Sequence, residues 1–151
     1  MADRCPSIVN DDRIVVAGLL SQAHHMVTRA LSSELEERSG MGLTTYEALV
    51  RLRRSDDGRL TMGELGRQLG LTSGYVTRLV DRLCEEGFAE RQNCPNDRRA
   101  FHIALSPAGL RALDEATDIH LEQLDGVLES LSCDERRSLA ALLSKLAATS
   151  S

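Results

Sequence analysis

The sequence contains no tryptophan and only two phenylalanines and two tyrosines. A core cannot be assembled around large rings, so its apolar mass has to come from Leu, Ile, Val, Ala and Met, residues weighted toward helix packing. Cysteine is also sparse. Cys5, Cys84, Cys94 and Cys133 are widely spaced and form no CxxC pair or other metal-ligand spacing, so they read as reduced cytosolic thiols. No run of about 18 apolar residues occurs, and the opening Met1-Ala2-Asp3-Arg4-Cys5-Pro6 has no apolar signal segment. These absences predict a cytoplasmic protein without a membrane partner. Catalytic motifs are missing too: there is no HExxH, glycine-rich phosphate loop, GxSxG elbow or paired Cys-His arrangement. Neither an enzyme nor a bound cofactor or metal is expected. His24 and His25 are neighbours, which on a helix sets them about 100° apart and prevents both from facing one ion.

A general excess of positive charge is lacking as well, since 18 basic side chains face 23 acidic ones for a net charge of −5. That sign argues against a coat of non-specific positive charge. The distribution is uneven, however. Residues 60–105 carry 6 basic and 6 acidic groups, whereas residues 106–151 carry 4 and 8. A neutral middle segment can still gather several arginines on one face, with the acidity held at the C-terminal end.

What is present is mostly helical periodicity. From Asp12 to about Arg38, Ile14, Val15, Leu19, Leu20, Ala23, Val27, Ala30, Leu31 and Leu35 recur at three- and four-residue intervals, as on one stripe of a long helix. Gly40 and Gly42 break it. Thr44 with Glu47 offers a capping box for a second helix reaching about Arg54, which the turn Asp56-Asp57-Gly58 ends. Thr61 with Glu64 offers another, opening a short helix that Gly70 terminates. Thr72 is placed to cap the next, whose inward side is Val76, Leu79, Val80 and Leu83. Two short helices joined by a tight turn are a recurring unit of DNA-binding proteins.

The helical period stops at Gly87. Residues 88–92 and 100–105 read as strands, and the seven residues between them, Asn93 to Arg99, read as a polar loop ending in two arginines. A β-ribbon with arginines at its tip, placed directly after a helix-turn-helix, describes a wing: the helix suits the wide groove and the tip the narrow one. Ser106-Pro107 starts a further helix to about Glu129, and Ser132 with Glu135 opens the last, with Leu139, Leu142, Leu143 and Leu146 as its stripe.

The stretch from Leu71 to Arg91 resembles the recognition helix and first wing strand of the MarR family of bacterial transcription regulators. Asp97-Arg98-Arg99-Ala100 and Leu105-Ser106-Pro107-Ala108-Gly109 resemble that family's wing signature and the start of its long fifth helix. Ser106 stands where the family often has Thr, and Ala89 where a larger aliphatic is usual. The resemblance implies a mainly α fold: a winged helix-turn-helix domain over residues 44–105, with dimerisation helices at 1–43 and 106–151. It also implies a homodimer on double-stranded DNA, a small-molecule effector, and repression as the outcome. Apolar stripes at both ends of a short chain independently ask for a partner helix. Symmetry then predicts a pseudo-palindromic operator with half-sites about 34–36 Å apart.

The residues expected at the DNA are Thr72, Ser73, Tyr75, Thr77, Arg78 and Arg82 on the helix, and Asp97, Arg98 and Arg99 on the wing. Thr72 is first a cap. Ser73 and Thr77 are four apart beside the gap at Gly74, where a groove edge can approach. Arg78 is assigned a base or near-base contact and Arg82 a phosphate. Tyr75 is open to three roles: phosphate, a thymine methyl, or packing on the preceding helix. Arg99 is assigned the minor groove, Arg98 a phosphate or the bracing of the loop, and Asp97 an ion pair that fixes the tip. An effector is expected to change the spacing of the two recognition helices through hinges near Gly40-Met41-Gly42 and Ser106-Pro107. Two other functions are compatible with the fold: a protein-contact module, and a redox-sensing repressor acting through Cys5 or Cys94.

Overall fold

The computed structural model describes the backbone of residues 10–94 and 97–148, and the side chains of residues 10–93 and 101–148. In chain order the elements are α1 (Asp12–Ser39), α2 (Leu43–Arg54), β1 (Arg59–Thr61), α3 (Met62–Leu69), α4 (Ser73–Glu85), β2 (Ala89–Cys94), β3 (Asp97–Leu105), α5 (Pro107–Val127) and α6 (Cys133–Ala148). Two compact units result, Ser32–His120 and Met1–Leu31 with Leu121–Ser151.

The unit Ser32–His120 is a winged helix. Its core gathers Leu35, Leu49, Leu52, Leu65, Val76, Val80, Leu83 and Ile103, each at most 1% exposed. Burying a side chain of this size stabilises the fold by about 1.5–3 kcal/mol. The three strands form an antiparallel sheet in the order β1-β3-β2. β1 was not foreseen, since Arg59-Leu60-Thr61 is too short to show an alternating pattern and Thr61 doubles as a helix cap. The ribbon is longer than its polarity suggested. Ala89 faces Leu105, Arg91 faces Ile103 and Cys94 faces Asp97, with a register shift between Asn93 and Cys94, so the strands reach into the expected loop from both sides, to Cys94 and from Asp97.

Two helix starts differ from the expected caps. At α3 the capping box is present: Thr61 Oγ1 accepts from the Glu64 amide at 3.2 Å, and Glu64 Oε2 accepts from the Thr61 amide at 2.8 Å. Those bonds to Thr61 hold the Glu64 carboxyl below its ordinary value. At α2 the box from Thr44 does not form. The helix begins two residues earlier, capped at Gly42, with the Tyr46 amide donating to the Gly42 carbonyl at 3.1 Å, so Thr44 is already inside it. Thr72 does occupy the N-cap position of α4, but its side chain makes no capping bond.

The turn between α3 and α4 depends on two glycines. Gly70 ends α3 at φ +66°, in the left-handed region. Gly66 packs against α4, where an added Cβ would come within 2.9 Å of the Val76 side chain.

Among its described residues the second unit is helical apart from residues 10–11 and the turn at 128–132, and it leaves much apolar surface open. α6 buries none of its residues, and Leu139, Leu142, Leu143 and Leu146 are all exposed. Ile14, Val15, Val16, Leu19 and Met26 of α1 and Leu121 of α5 are likewise exposed. No helix among the described residues is long and apolar enough to cross a membrane.

Candidate nucleic-acid interface

Helix α4 has two distinct sides. Val76, Leu79, Val80 and Leu83 are buried, at 0–3% exposure, and anchor the helix in the core. Thr72, Ser73, Gly74, Tyr75, Thr77, Arg78 and Arg82 are exposed. The structure therefore brings the six expected helix residues together on one open surface.

Within that surface the side chains are partly fixed. The Arg78 guanidinium carbon lies 5.9 Å from the centroid of the Tyr75 ring, a cation–π contact. Tyr75 is 44% exposed and is the one large apolar side chain that α4 presents outward, so it does not pack away against α3. The Thr77 hydroxyl donates to the Ser73 carbonyl at 3.0 Å, which occupies its donor within the helix. Arg82 Nη2 donates to Oγ1 of Thr45 at 2.7 Å, and Thr45, on α2, is buried.

A further tie joins α4 to the ribbon. Asp81 and Arg91 form an ion pair between α4 and β2, and the hydrogen bond that Arg91 donates to the Asp81 carboxylate keeps its guanidinium charged even more firmly than usual. Thr45, Asp81 and Arg91 were absent from the residues expected here. Their partners lie on different elements, and no sequence spacing marks such pairs.

At the wing, the backbone of Asp97, Arg98 and Arg99 lies at the start of β3, directly after the ribbon's tip. Their side chains, like that of Cys94, lie outside the described residues, as does Cys5. Among the described residues no group of His, Cys, Asp and Glu is arranged to hold a metal ion.

A three-stranded sheet whose ribbon follows a helix-turn-helix, packed on one helical core, defines a winged helix-turn-helix protein. The comparisons carry this further. The MarR family model matches residues 39–100. The multiple antibiotic resistance protein MarR of Salmonella typhimurium is 32% identical over 108 residues, 68% of this chain and 71% of that protein. The transcriptional repressor MprA of Escherichia coli is 28% identical over 124 residues, 81% of this chain and 70% of that protein. Among solved structures, the MarR family regulator Sco3205 of Streptomyces coelicolor, crystallised with DNA, is 25% identical. It superimposes with a TM-score of 0.75 over 88% of this chain and 84% of that one. Two Bacillus subtilis relatives are matched over 65% and 66% of their length, so the chain spans just under two thirds of them. The chain belongs to the MarR family of winged helix-turn-helix transcriptional regulators.

Proposed function

We propose that the chain is a homodimeric repressor that binds a pseudo-palindromic double-stranded DNA operator in the cytoplasm and leaves it when a small-molecule effector binds. The observation that carries this reading is the outward face of α4, where Ser73, Tyr75, Thr77 and Arg78 are all exposed, on a helix that the Asp81–Arg91 ion pair ties to the β2–β3 ribbon. A helix of this kind fits the major groove, and its N-terminal residues are the ones that reach base edges. Residues 44–105 act as the DNA-binding part. Residues 1–43 and 106–151 act as the dimerisation part, in keeping with the apolar side chains exposed on α1, α5 and α6.

In this reading Arg78 contacts a base and Ser73 and Thr77 line the groove edge. Arg82 reaches a phosphate while Thr45 braces it, Arg99 enters the minor groove, and Asp97 and Arg98 steady the tip. The protein-contact alternative calls for an apolar patch on α4, and Tyr75 alone does not make one. The relatives described above are named as a repressor and as a DNA-bound regulator, which supports the same choice.

The test is a footprint on the DNA flanking the protein's own gene, followed by titrations at several salt concentrations. Binding is expected to be sequence-selective and to weaken steeply with salt. Arg99→Ala is expected to weaken it by more than about 1 kcal/mol and to lower the slope of log affinity against log salt. Unchanged affinity and slope would remove Arg99 from the interface, and the absence of any selective binding would remove the function.

A further inference from the structure

We infer that Tyr75 and Arg78 act as one reading unit, selecting a half-site in which a thymine adjoins a guanine. Arg78 bonds the guanine edge, and the Tyr75 ring covers the thymine methyl. This rests on the DNA-binding reading above and specifies what the recognition helix selects.

The argument starts from what each side chain already does. Arg78 makes no hydrogen bond or ion pair with the described residues. Its guanidinium carbon lies 5.9 Å from the centroid of the Tyr75 ring. Among the described residues none of the five N–H donors of the fork is spent on a hydrogen bond. A free arginine on a helix surface samples many rotamers, whereas one laid over an aromatic ring is pre-organised, so less freedom is lost when the fork engages a base. The planar fork matches the O6 and N7 acceptors of guanine, the commonest specific contact in the major groove.

The same stack decides what Tyr75 does. Its ring is 44% exposed and its hydroxyl meets no partner among the described residues. With a cation on the ring, the apolar surface left over lies beside whatever base Arg78 engages. The thymine methyl is the apolar group that the major groove offers at that place. A notch of about 300 Å³ lined by Tyr75, Arg78, Leu79 and Arg82 adjoins the stack, with buried Leu79 as its apolar floor.

Two neighbouring positions favour this pair. Thr77 donates its hydroxyl proton to the Ser73 carbonyl and turns no free O–H donor to the groove. Gly74, one helical turn before Arg78, has nothing within 4 Å of where a Cβ would stand, so the groove edge can approach there.

The experiment first selects bound half-sites from a random duplex pool using the full chain. In the selected operator each thymine is then replaced by deoxyuridine, which lacks the methyl, and each guanine by 7-deazaguanine, which lacks N7. One T-G neighbour per half-site is expected to stand out, with wild-type affinity falling about threefold or more on loss of the methyl and about tenfold on loss of N7. Tyr75→Ala is expected to bind the thymine and uracil operators equally, while Tyr75→Phe keeps the wild-type preference. Selected half-sites with no fixed T-G neighbour, or a wild-type protein indifferent to the methyl, would overturn the inference. So would a Tyr75→Phe variant as weak as Tyr75→Ala on every sequence, which would assign Tyr75 to a phosphate. Selective, salt-sensitive binding without these base effects sinks this inference alone; no selective binding at any salt concentration sinks the DNA-binding reading with it.

Discussion

Arg82 on the recognition helix donates through Nη2 to the hydroxyl of Thr45, a buried residue of α2, at 2.7 Å. The bond ties an exposed arginine to the core beneath it, and the remaining guanidinium donors make no hydrogen bond among the described residues. An arginine held this way has less freedom to lose on meeting a phosphate. Arg82→Ala is therefore expected to weaken specific and non-specific DNA alike and to lower the salt slope by about 1. Thr45→Val removes the brace but not the charge. It should weaken binding by a smaller amount and leave the slope unchanged, and a slope that falls equally in both variants would show that Thr45 acts otherwise.

The recognition helix, the turns and the start of α5 were legible in the sequence because each has a local marker. Gly70 marks a left-handed stop, Thr61 and Glu64 stand at capping spacing, and Ser106 and Pro107 suit a helix start. The same marker misled at Thr44 and Glu47, where the helix begins earlier at Gly42 and the spacing has no terminus to act on. The ribbon extends past its apolar residues because backbone pairing at Asn93↔Phe101 and Cys94↔Asp97 does not depend on side-chain polarity. Within the candidate site, the outward residues of α4 follow from helical periodicity. The ties that hold them, Arg82 to Thr45 and Asp81 to Arg91, join elements far apart in the chain. Only folding reveals such pairs.

The joint between β3 and α5, at Ser106-Pro107, is held by several hydrogen bonds. Ser106 is buried; its hydroxyl donates to the Gly87 carbonyl at 2.5 Å and accepts from the Gly109 amide at 2.9 Å, and its amide donates to the Phe88 carbonyl at 3.0 Å. An added Cβ on Gly109 would fall on the Phe88 carbonyl oxygen, a backbone atom that cannot swing aside. The end of α4 and the start of α5 are thus riveted together. Gly109→Ala is expected to destabilise the fold by about 1–3 kcal/mol through overpacking, read as a lower midpoint in urea. A midpoint equal to wild type would mean that the joint yields.

His120 gives the fold a pH dependence. Its ring packs on Tyr46 with centroids 4.5 Å apart, and its buried Nδ1 has no hydrogen-bond partner among the described residues. Burial holds the imidazole below its ordinary pKa. Above an unfolded-state value of about 6.5 both states are neutral and folding carries no penalty from this group. As pH falls past that value the unfolded chain takes up a proton that the folded chain resists, so stability declines until the pH has passed below the folded-state pKa. Urea midpoints measured from pH 7.5 down to pH 5 are expected to fall more for wild type than for His120→Phe, which keeps the ring and cannot titrate. Parallel curves would show that His120 titrates alike in both states.

The last prediction concerns assembly. α6 buries none of its own residues, and Leu142 is 65% exposed, Leu146 53% and Leu19 of α1 59%. Isolated exposed leucines are ordinary on a protein surface, but whole helices presenting them in rows are not, because each side chain forgoes the burial that would stabilise it. A second copy supplies the missing cover with no new sequence, since a two-fold axis sets the same stripe against itself. The chain should therefore sediment as a dimer at sub-micromolar concentration. Leu142→Glu with Leu146→Glu should dissociate it, because two carboxylates would have to be buried in the interface without partners. The variant should also lose operator affinity far beyond what an altered DNA contact explains, since each half-site would then be bound singly. A folded wild-type monomer at micromolar concentration, or a double variant still dimeric with full operator affinity, would remove α6 from the interface and leave its apolar row for another partner.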